Sequence, residues 1–496
     1  MASGVSTLRV LERAGVVLLG AGACLYLLVY LVVALQRLTY PFELEWMEGG
    51  VVGHVQRILD GQAIYAQPSL SFVANLYAPL YFYVSALVAL VLGNGFLPLR
   101  LVSFVASLGS FAFIFLIVRR RTSAQFPAFL AACLFAATFR IAGAWFDIAR
   151  VDSLYLLFLL AGLYAFDSPA VLLRSLAAPL LLFLSAFTKQ PALIVAIGLS
   201  VVALLTRKGF ERLAFPLVFG VLFAGSFLVM NALTAGWYQY YVFEMPSQHS
   251  IESAYLLGFW TRDILQQVGI ALGFCLVAAW SGRRQRIVAD VCILGSLFLV
   301  SYLSRIHSGG YNNVLMAVYA AIAIYFGIGL NALLDAALKG DGRASAVTLT
   351  LLGAAMLQFL LLFYWPPLQV PSRADRAQGE RILQRVARIQ GEVYWSDHPW
   401  YLRMIGKPTQ AQDMAIIDVL RAPGSGQWKQ LLERDMARAI AEGRYEAFVV
   451  DFEEFSLRVP DFDARYELAD ANLSGSFFRM VTGYDRHPRY LYVRRP

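Results

Sequence analysis

Long apolar runs separated by short charged segments constrain this chain more than any other feature of its sequence. The first run extends from Gly15 to Leu35, and similar runs recur as far as residue 364. About 20 apolar residues are needed for a helix to cross roughly 30 Å of hydrocarbon. Hydrophobic residues make up 59% of the 496 residues and charged residues only 15%, whereas soluble domains hold about 25% charged residues. The sequence therefore predicts a polytopic α-helical membrane protein.

The basic residues orient the predicted spans. Arg13 precedes the first run, so the N-terminus is expected to be cytoplasmic. Residues 76–93 are short for a span and rich in Tyr at their start, so we expect them to lie at the outer membrane surface. Residues 99–118 then cross, which leaves the basic triplet 119–121 cytoplasmic. This assignment predicts about eleven transmembrane helices, with dense basic clusters on the cytoplasmic side.

Two further features follow from the same pattern. The first run is too long for a cleavable signal peptide and is expected to remain as a signal anchor. An amphipathic helix is predicted over about 48–60, next to the membrane surface. The net charge of +8 does not indicate nucleic-acid binding, because the basic residues lie between apolar runs.

The composition changes after Pro367, where the chain becomes charged and mixed. Periodicity predicts two helices there, over 381–390 and 429–442. It predicts strands over 392–397, 446–452 and 488–494. We therefore expect a transmembrane domain over 1–367, with a first outer loop over 36–98, and a soluble α/β domain over 368–496 on the outer side.

The stretch after the first span is acidic. Glu43, Glu45 and Glu48 fall within six positions and are followed by Gly49 and Gly50. Carboxylates beside a membrane are costly unless they face water or take part in function. The alternative interpretation is a solvated acidic loop that only ends a helix.

Further ionisable residues are predicted at the same outer side, at the ends of different spans. They are Asp147, Arg150, Asp152, Lys189, Gln190, Arg305 and His307, with His54 on the amphipathic helix. A carboxylate can take a proton from a hydroxyl or hold a divalent cation. Lys and Arg at a membrane interface can hold a phosphate. The set suits transfer to a hydroxyl with a lipid-linked phosphate as the leaving group.

Each of these residues also has a structural interpretation. Asp147, Arg150 and Asp152 would serve equally as a local ion-pair cluster. Lys189 is also explained as a side chain reaching out from a helix end. His307 is also explained as a loop residue, and His54 is expected to be structural. The four cysteines lie in apolar runs without metal-ligand spacing and are read as buried hydrophobes.

Four sequence motifs carry a resemblance to a known family. They are Glu48 with Arg57-Ile58-Leu59-Asp60-Gly61 and Tyr65; Tyr77-Ala78-Pro79-Leu80-Tyr81 with Arg100-Leu101-Val102-Ser103; Arg150, Asp152 and Leu154; and Thr188-Lys189-Gln190-Pro191. In these motifs the chain resembles the integral-membrane glycosyltransferases of the GT-C superfamily, related to protein O-mannosyltransferases and the lipid A aminoarabinose transferase. The resemblance covers about residues 1–330.

The resemblance implies a function and roles for residues. A polyprenyl-phosphate sugar would be the donor, and an acidic residue of the first outer loop would be the catalytic base. By position that role falls on Glu48 or on Glu45, and the choice stays open. Lys189 is implied to contact the lipid phosphate. Arg305, His307 and Tyr311 occupy the region where the family places further phosphate-binding residues.

These implications complete the hypothesis of an inverting glycosyltransferase. Asp147 and Asp152 would position the base or donor, with Gln190 and Arg150 also on the donor side and a divalent cation as a candidate cofactor. The acceptor would be a lipid, glycan or protein, and the expected location is a bacterial inner membrane with the soluble domain periplasmic. A transporter of a lipid-linked sugar is the alternative, although the chain shows no internal repeat of the kind common in transporters. A receptor or assembly scaffold is a third reading.

Overall fold

The computed structural model describes residues 2–281, 286–339 and 344–496. Four helices build the first part of the chain: α1 (Ala2–Leu38), α2 (Glu48–Leu59), α3 (Leu80–Leu92) and α4 (Phe96–Thr122). The membrane-spanning part continues with Gln125–Ala137, Asp152–Phe166, Leu173–Ala177 running into Ala178–Ala186, Ala192–Thr206, Phe210–Leu233, Gln266–Ser281, Ile287–Ile306, Met316–Lys339 and Ala344–Leu361. Short helices at Trp237–Gln239, Tyr240–Glu244, Met245–Ser247, Ser253–Gly258 and Phe259–Leu265 form the connection before Gln266.

The apolar helices differ in length. Six helices of the described chain are long and apolar enough to cross a membrane, and a bent pair, Ser345–Leu361 with Pro366–Ala387, adds a seventh if it is counted as one span. Four others that were predicted as spans are shorter, and they include the expected short one at Leu173–Ala186. A polytopic α-helical membrane protein is therefore confirmed, while the count of eleven spans stays a prediction.

Helix α3 has the properties expected of a helix at the membrane surface. Its 13 residues extend about 20 Å at 1.5 Å per residue, less than the roughly 30 Å of a hydrocarbon core. Leu87, Leu90 and Val91 are exposed on one side, while Tyr81 and Phe82 are buried on the other. This arrangement buries α3 against protein on one face and leaves an apolar face for lipid.

The chain after residue 372 folds into a small α/β unit. A capping box begins its first helix, Arg373–Ala387, because Ser372 and Asp375 each accept a hydrogen bond from the other's backbone N–H. The other helices are Trp400–Met404, Asp413–Arg421, Gly426–Ala441 and Phe462–Arg465. The strands are β1 (Glu392–Trp395), β2 (Tyr445–Val450), β3 (Tyr466–Asp470) and β4 (Tyr490–Arg494).

The sheet has the order β1-β2-β4-β3, with β1 and β2 parallel and the other pairs antiparallel. Strands β1, β2 and β4 lie where periodicity predicted them. Strand β3 was missed because three of its five residues are exposed and the apolar alternation is absent. It is an edge strand, and edge strands carry charge more readily than central ones.

The C-terminal unit shares its core with the segment between α1 and α4. Phe42, Val51 and Tyr81 belong to the same buried cluster as Trp395 and Tyr401. A separate cluster fills the space between the membrane helices. Burial of apolar surface is the main favourable term in folding, so the shared cluster holds α2 and α3 against the sheet.

Candidate active site

A cavity of about 490 Å³ lies where the ends of membrane helices meet the C-terminal unit. Part of its wall is apolar and includes Leu193, Ile194 and Leu303 from two membrane helices. Its polar wall includes Glu45 and Arg150. Such a mixture of apolar surface and a few convergent polar groups is typical of ligand sites.

Glu45 presents a carboxylate to this cavity. Its Oε2 lies 2.9 Å from Nη1 of Arg150 and accepts a hydrogen bond of 3.2 Å from the backbone N–H of Met47. Its other oxygen, Oε1, accepts no hydrogen bond from any of the described residues. Burial raises the pKa of Glu45 to about 7, although Arg150 opposes the shift. A carboxylate with this pKa is suited to take a proton near neutral pH.

Arg150 is oriented by aromatic neighbours as well as by Glu45. Its Nη2 donates to the hydroxyl of Tyr77 at 2.7 Å, and its guanidinium lies 5.3 Å from the centre of the Trp145 ring. Its backbone carbonyl accepts a hydrogen bond from Ser103. These contacts fix a cation beside the carboxylate of Glu45.

Lys189 supplies a second fixed cation. Its Nζ lies 2.6 Å from Oδ1 of Asp152, which also accepts a hydrogen bond from Asn313. The other oxygen of Asp152 accepts one from the indole of Trp145. Both oxygens of Asp152 therefore have partners, and the geometry makes it a residue that orients Lys189.

Gln190 also lines the cavity, and its side-chain amide bonds two separate segments of the chain. Nε2 donates to the carbonyls of Leu76 at 2.9 Å and Val242 at 3.1 Å. Oε1 is buried without a hydrogen-bond partner in the described part of the chain. A buried acceptor of this kind is costly unless something bonds it.

Three of the four carboxylates predicted at the site lie outside the cavity lining: Glu48, Asp147 and Asp152. Glu48 is paired with Arg100 at 2.6 Å and 2.9 Å, and accepts hydrogen bonds from the backbone N–H groups of Leu44 and Ala149. Burial would raise the pKa of Glu48, but Arg100 and these hydrogen bonds outweigh it and hold it below its ordinary value. Asp147 lies 3.1 Å from Arg37, and both side chains are buried.

The predicted residues between 305 and 311 also divide into some that line the cavity and one that does not. Arg305 binds Asp263 at 2.8 Å and the carbonyl of Gly310 at 2.9 Å, and it is not among the cavity-lining residues. His307 and Tyr311 do line the cavity. The ring of Tyr311 lies 5.2 Å from that of Trp145.

His54 has the structural environment that was expected for it. Its Nδ1 bonds the carbonyl of Gly50 at 2.8 Å, so Nε2 is left to accept from the backbone N–H of Asn75. The ring stacks on Phe82. Burial lowers the pKa of His54 to about 4, which keeps the side chain neutral.

A buried network of ionisable residues outside the cavity lining was not predicted from the sequence. His398, which follows strand β1, bonds Glu43 through Nδ1 and Asp451 through Nε2. Burial would lower the pKa of His398, but Asp451 and Glu43 hold it well above its ordinary value. Gly49 is required here, because a Cβ at this position would lie 2.1 Å from an oxygen of Glu43. The one sequence signal was the Ser-Asp-His triplet at the end of a predicted strand.

The cavity does not fit a divalent cation. The carboxylates that line it, Glu45 and Asp418, are each paired with a cationic side chain, as is Asp152 next to Lys189. In the described residues, no three His, Cys, Asp or Glu side chains converge as metal ligands would. A cation held by carboxylates needs oxygens that are not already neutralised, so no chemical step is assigned to a metal.

Fold and site together define a class: a multi-pass helical membrane protein whose amphipathic cavity lies between membrane helices and a small α/β unit. Two similar solved structures are both of ArnT from Cupriavidus metallidurans. The one bound to undecaprenyl phosphate is 16% identical, with 95% of this chain and 97% of that chain covered and a TM-score of 0.59. The apo structure is 14% identical, with the same coverage and a TM-score of 0.58.

The likeness over nearly the whole of both chains shows that this protein has the fold of these ArnT structures. The predicted fold class, a polytopic helical membrane protein with a small C-terminal α/β unit, is therefore confirmed. No protein-family model matches the chain, and no curated protein matches it.

Proposed function

We propose that this protein is a glycosyltransferase that moves a sugar from a polyprenyl-phosphate donor to an acceptor hydroxyl. The observation that carries the proposal is the meeting of Glu45, Arg150 and Lys189 in one cavity with an apolar wall. The apolar wall suits a lipid tail and the two cations suit a phosphate. The similar fold of ArnT bound to undecaprenyl phosphate supports the same ligand class.

In the proposed reaction Glu45 is the base. Its Oε1 takes the proton of the acceptor hydroxyl while the hydroxyl oxygen bonds the anomeric carbon. The bond between that carbon and the phosphate oxygen breaks, and the phosphate leaves with the electron pair. One displacement inverts the anomeric configuration. Arg150 and Lys189 stabilise the charge that develops on the phosphate.

The remaining predicted residues take supporting roles in this proposal. Asp152 positions Lys189, and Gln190, His307 and Tyr311 complete the donor wall. Glu48, Asp147 and Arg305 hold the surrounding segments through their ion pairs.

We further propose a location and a domain division, both as predicted from the sequence. The location is a bacterial inner membrane, with a cytoplasmic N-terminus and a periplasmic α/β unit. The division is a catalytic transmembrane domain over 1–367 and a soluble domain over 368–496. Cysteine accessibility to a membrane-impermeant reagent in intact cells, at introduced sites on each side, tests the orientation.

Mass spectrometry of the lipid that co-purifies with the protein tests the donor class. We expect a polyprenyl phosphate or its sugar ester, and the mass would also name the sugar. A transporter of the same lipid would show the same bound lipid but no transfer to any acceptor. Consumption of the donor in purified vesicles with acceptor extract separates the two functions.

Replacing Lys189 with glutamine is expected to weaken binding of undecaprenyl phosphate by roughly tenfold to a hundredfold, because a hydrogen bond from a charged donor is lost. Asp152 keeps Asn313 and Trp145 as partners, so the fold should survive. Native mass spectrometry titration measures the affinity. Lys407→Gln, in the C-terminal unit and outside the cavity lining, is the matched control. Equal affinity in the two variants would contradict the role of Lys189.

The pH dependence of transfer follows from the pKa of Glu45, which burial raises to about 7. A base acts only when it is deprotonated, so the transfer rate should rise with pH and level off above about 7. Below that value the rate should fall about tenfold per pH unit. Initial rates between pH 5 and 9 with saturating donor check this, and a flat profile across the range would remove Glu45 as the base.

A further inference from the structure

Part of the cavity wall comes from the C-terminal unit. Asp418 and Arg421 lie on the helix Asp413–Arg421, and Tyr484 lies on the connection before β4. We propose that this part of the wall is the acceptor subsite and that it binds a neutral carbohydrate. The proposal rests on the proposed function, since it assigns the acceptor of the same reaction.

The connection that carries Tyr484 lies against the base. Gly483 has φ of +84°, and a Cβ on it would lie 2.9 Å from Cγ of Glu45. The backbone N–H of Thr482 donates to the carbonyl of Leu44. Tyr484 therefore follows directly on a residue whose backbone lies against Glu45. The acceptor hydroxyl must lie close to Glu45, since Glu45 is the proposed base.

Three aromatic rings form a row from the interior of the cavity to its mouth. Trp145 is 3% exposed and Tyr484 is 58% exposed, with Tyr311 between them. The ring centres of Tyr311 lie 5.2 Å from Trp145 and 5.8 Å from Tyr484. The negative face of an aromatic ring attracts the C–H groups on the face of a sugar ring. An exposed tyrosine at the end of such a row offers that surface to a ligand entering from outside.

The polar groups beside this row suit hydroxyls. Asp418 is 4% exposed and binds Arg421, whose guanidinium also contacts both ring nitrogens of His249, at 3.2 Å and 3.3 Å. A carboxylate accepts hydrogen bonds only and a guanidinium donates only. Together they can bond both the O–H and the oxygen of neighbouring sugar hydroxyls.

The balance of charge favours a neutral acceptor over an anionic one. In the described chain, three Lys and Arg side chains line the cavity, and each pairs with a carboxylate: Arg150 with Glu45, Lys189 with Asp152, and Arg421 with Asp418. A donor phosphate would already add negative charge. A second anion would then be held without a surplus cation, which is unfavourable in a partly buried site.

Saturation-transfer NMR on the full-length protein in nanodiscs tests the proposal. The probes are a panel of methyl hexosides and, separately, the corresponding hexose 1-phosphates, with undecaprenyl phosphate titrated by native mass spectrometry. We expect at least one hexoside to bind, and Tyr484→Ala and Asp418→Asn to weaken it about fivefold to tenfold. Phe477→Ala, an exposed aromatic residue of the same segment outside the cavity lining, should leave binding unchanged.

The outcomes separate this inference from the proposed function. Binding of undecaprenyl phosphate without binding of any hexoside would overturn the acceptor subsite and leave the donor class standing. Preferential binding of the hexose phosphates would overturn the neutral acceptor. Hexoside binding that is equal in the wild type, Tyr484→Ala and Asp418→Asn would place the acceptor elsewhere. A wild-type protein that does not bind undecaprenyl phosphate would contradict the proposed function itself.

Discussion

Replacing Glu45 with glutamine is expected to lower the rate of sugar transfer by about 10²- to 10⁴-fold, the usual contribution of a positioned base. Glutamine has the same shape and its amide oxygen can still accept from Arg150 and Met47, but it cannot take the proton. Binding of undecaprenyl phosphate should persist, because Lys189 and Arg150 remain. Transfer assays with the purified variant, alongside lipid titration, measure the two effects separately.

Glu380→Gln, on the exposed face of the helix Arg373–Ala387, is the control for a loss of negative charge. Glu48→Gln distinguishes the two carboxylates that the sequence left open as the base. We expect it to reduce the amount of folded protein but not the rate per folded molecule. A Glu45→Gln enzyme with the wild-type rate, or a Glu48→Gln enzyme that is folded and inactive, would reverse the assignment.

Replacing Arg100 with leucine is expected to destabilise the protein by about 3–5 kcal/mol, the usual effect of removing one partner of a buried ion pair. Arg100 is fully buried and binds Glu48 through two nitrogens. It also donates to the carbonyls of Arg37, Tyr40 and Phe42. The change leaves a charged carboxylate and three carbonyls without their donor. Thermal unfolding in detergent, followed by circular dichroism, measures the loss.

A second substitution tests the cause of that loss. Adding Glu48→Gln to Arg100→Leu removes the uncompensated charge and should recover part of the lost stability. Arg376→Leu breaks an exposed pair with Glu380 and should change the melting temperature little, since exposed pairs contribute little. If the Arg100→Leu protein had the same melting temperature as the wild type, the ion pair between Arg100 and Glu48 would not stabilise the fold.

The general architecture could be predicted because it depends on local composition. Apolar runs such as Gly15–Leu35 must be buried in lipid, and the basic triplet 119–121 ends helix α4 as expected. The interruption at Tyr77 and Pro79 indicated a short helix, which became α3. The apolar strands β1, β2 and β4 were visible from their alternation. The exposed strand β3 was not, because its pairing rather than its side chains makes it a strand.

The candidate site could be predicted only in part. The residue types and their positions at the ends of apolar runs can be read from the sequence, so Lys189, Arg150 and Glu45 were candidates. Which carboxylate pairs with which cation was not predictable. Glu45 and Glu48 are three positions apart and chemically alike, yet Arg100 neutralises Glu48 in the protein core while Glu45 faces the cavity.

Tertiary packing alone brought the C-terminal unit into the site. Tyr484 and His398 are more than 350 positions from Glu45 and Glu43 in the chain, and no periodicity connects them. These positions come close because strands β1 and β4 share one core with the segment between α1 and α4. Local patterns report which segments must leave water, whereas the pairing of buried charges depends on distances that exist only after those segments have packed together.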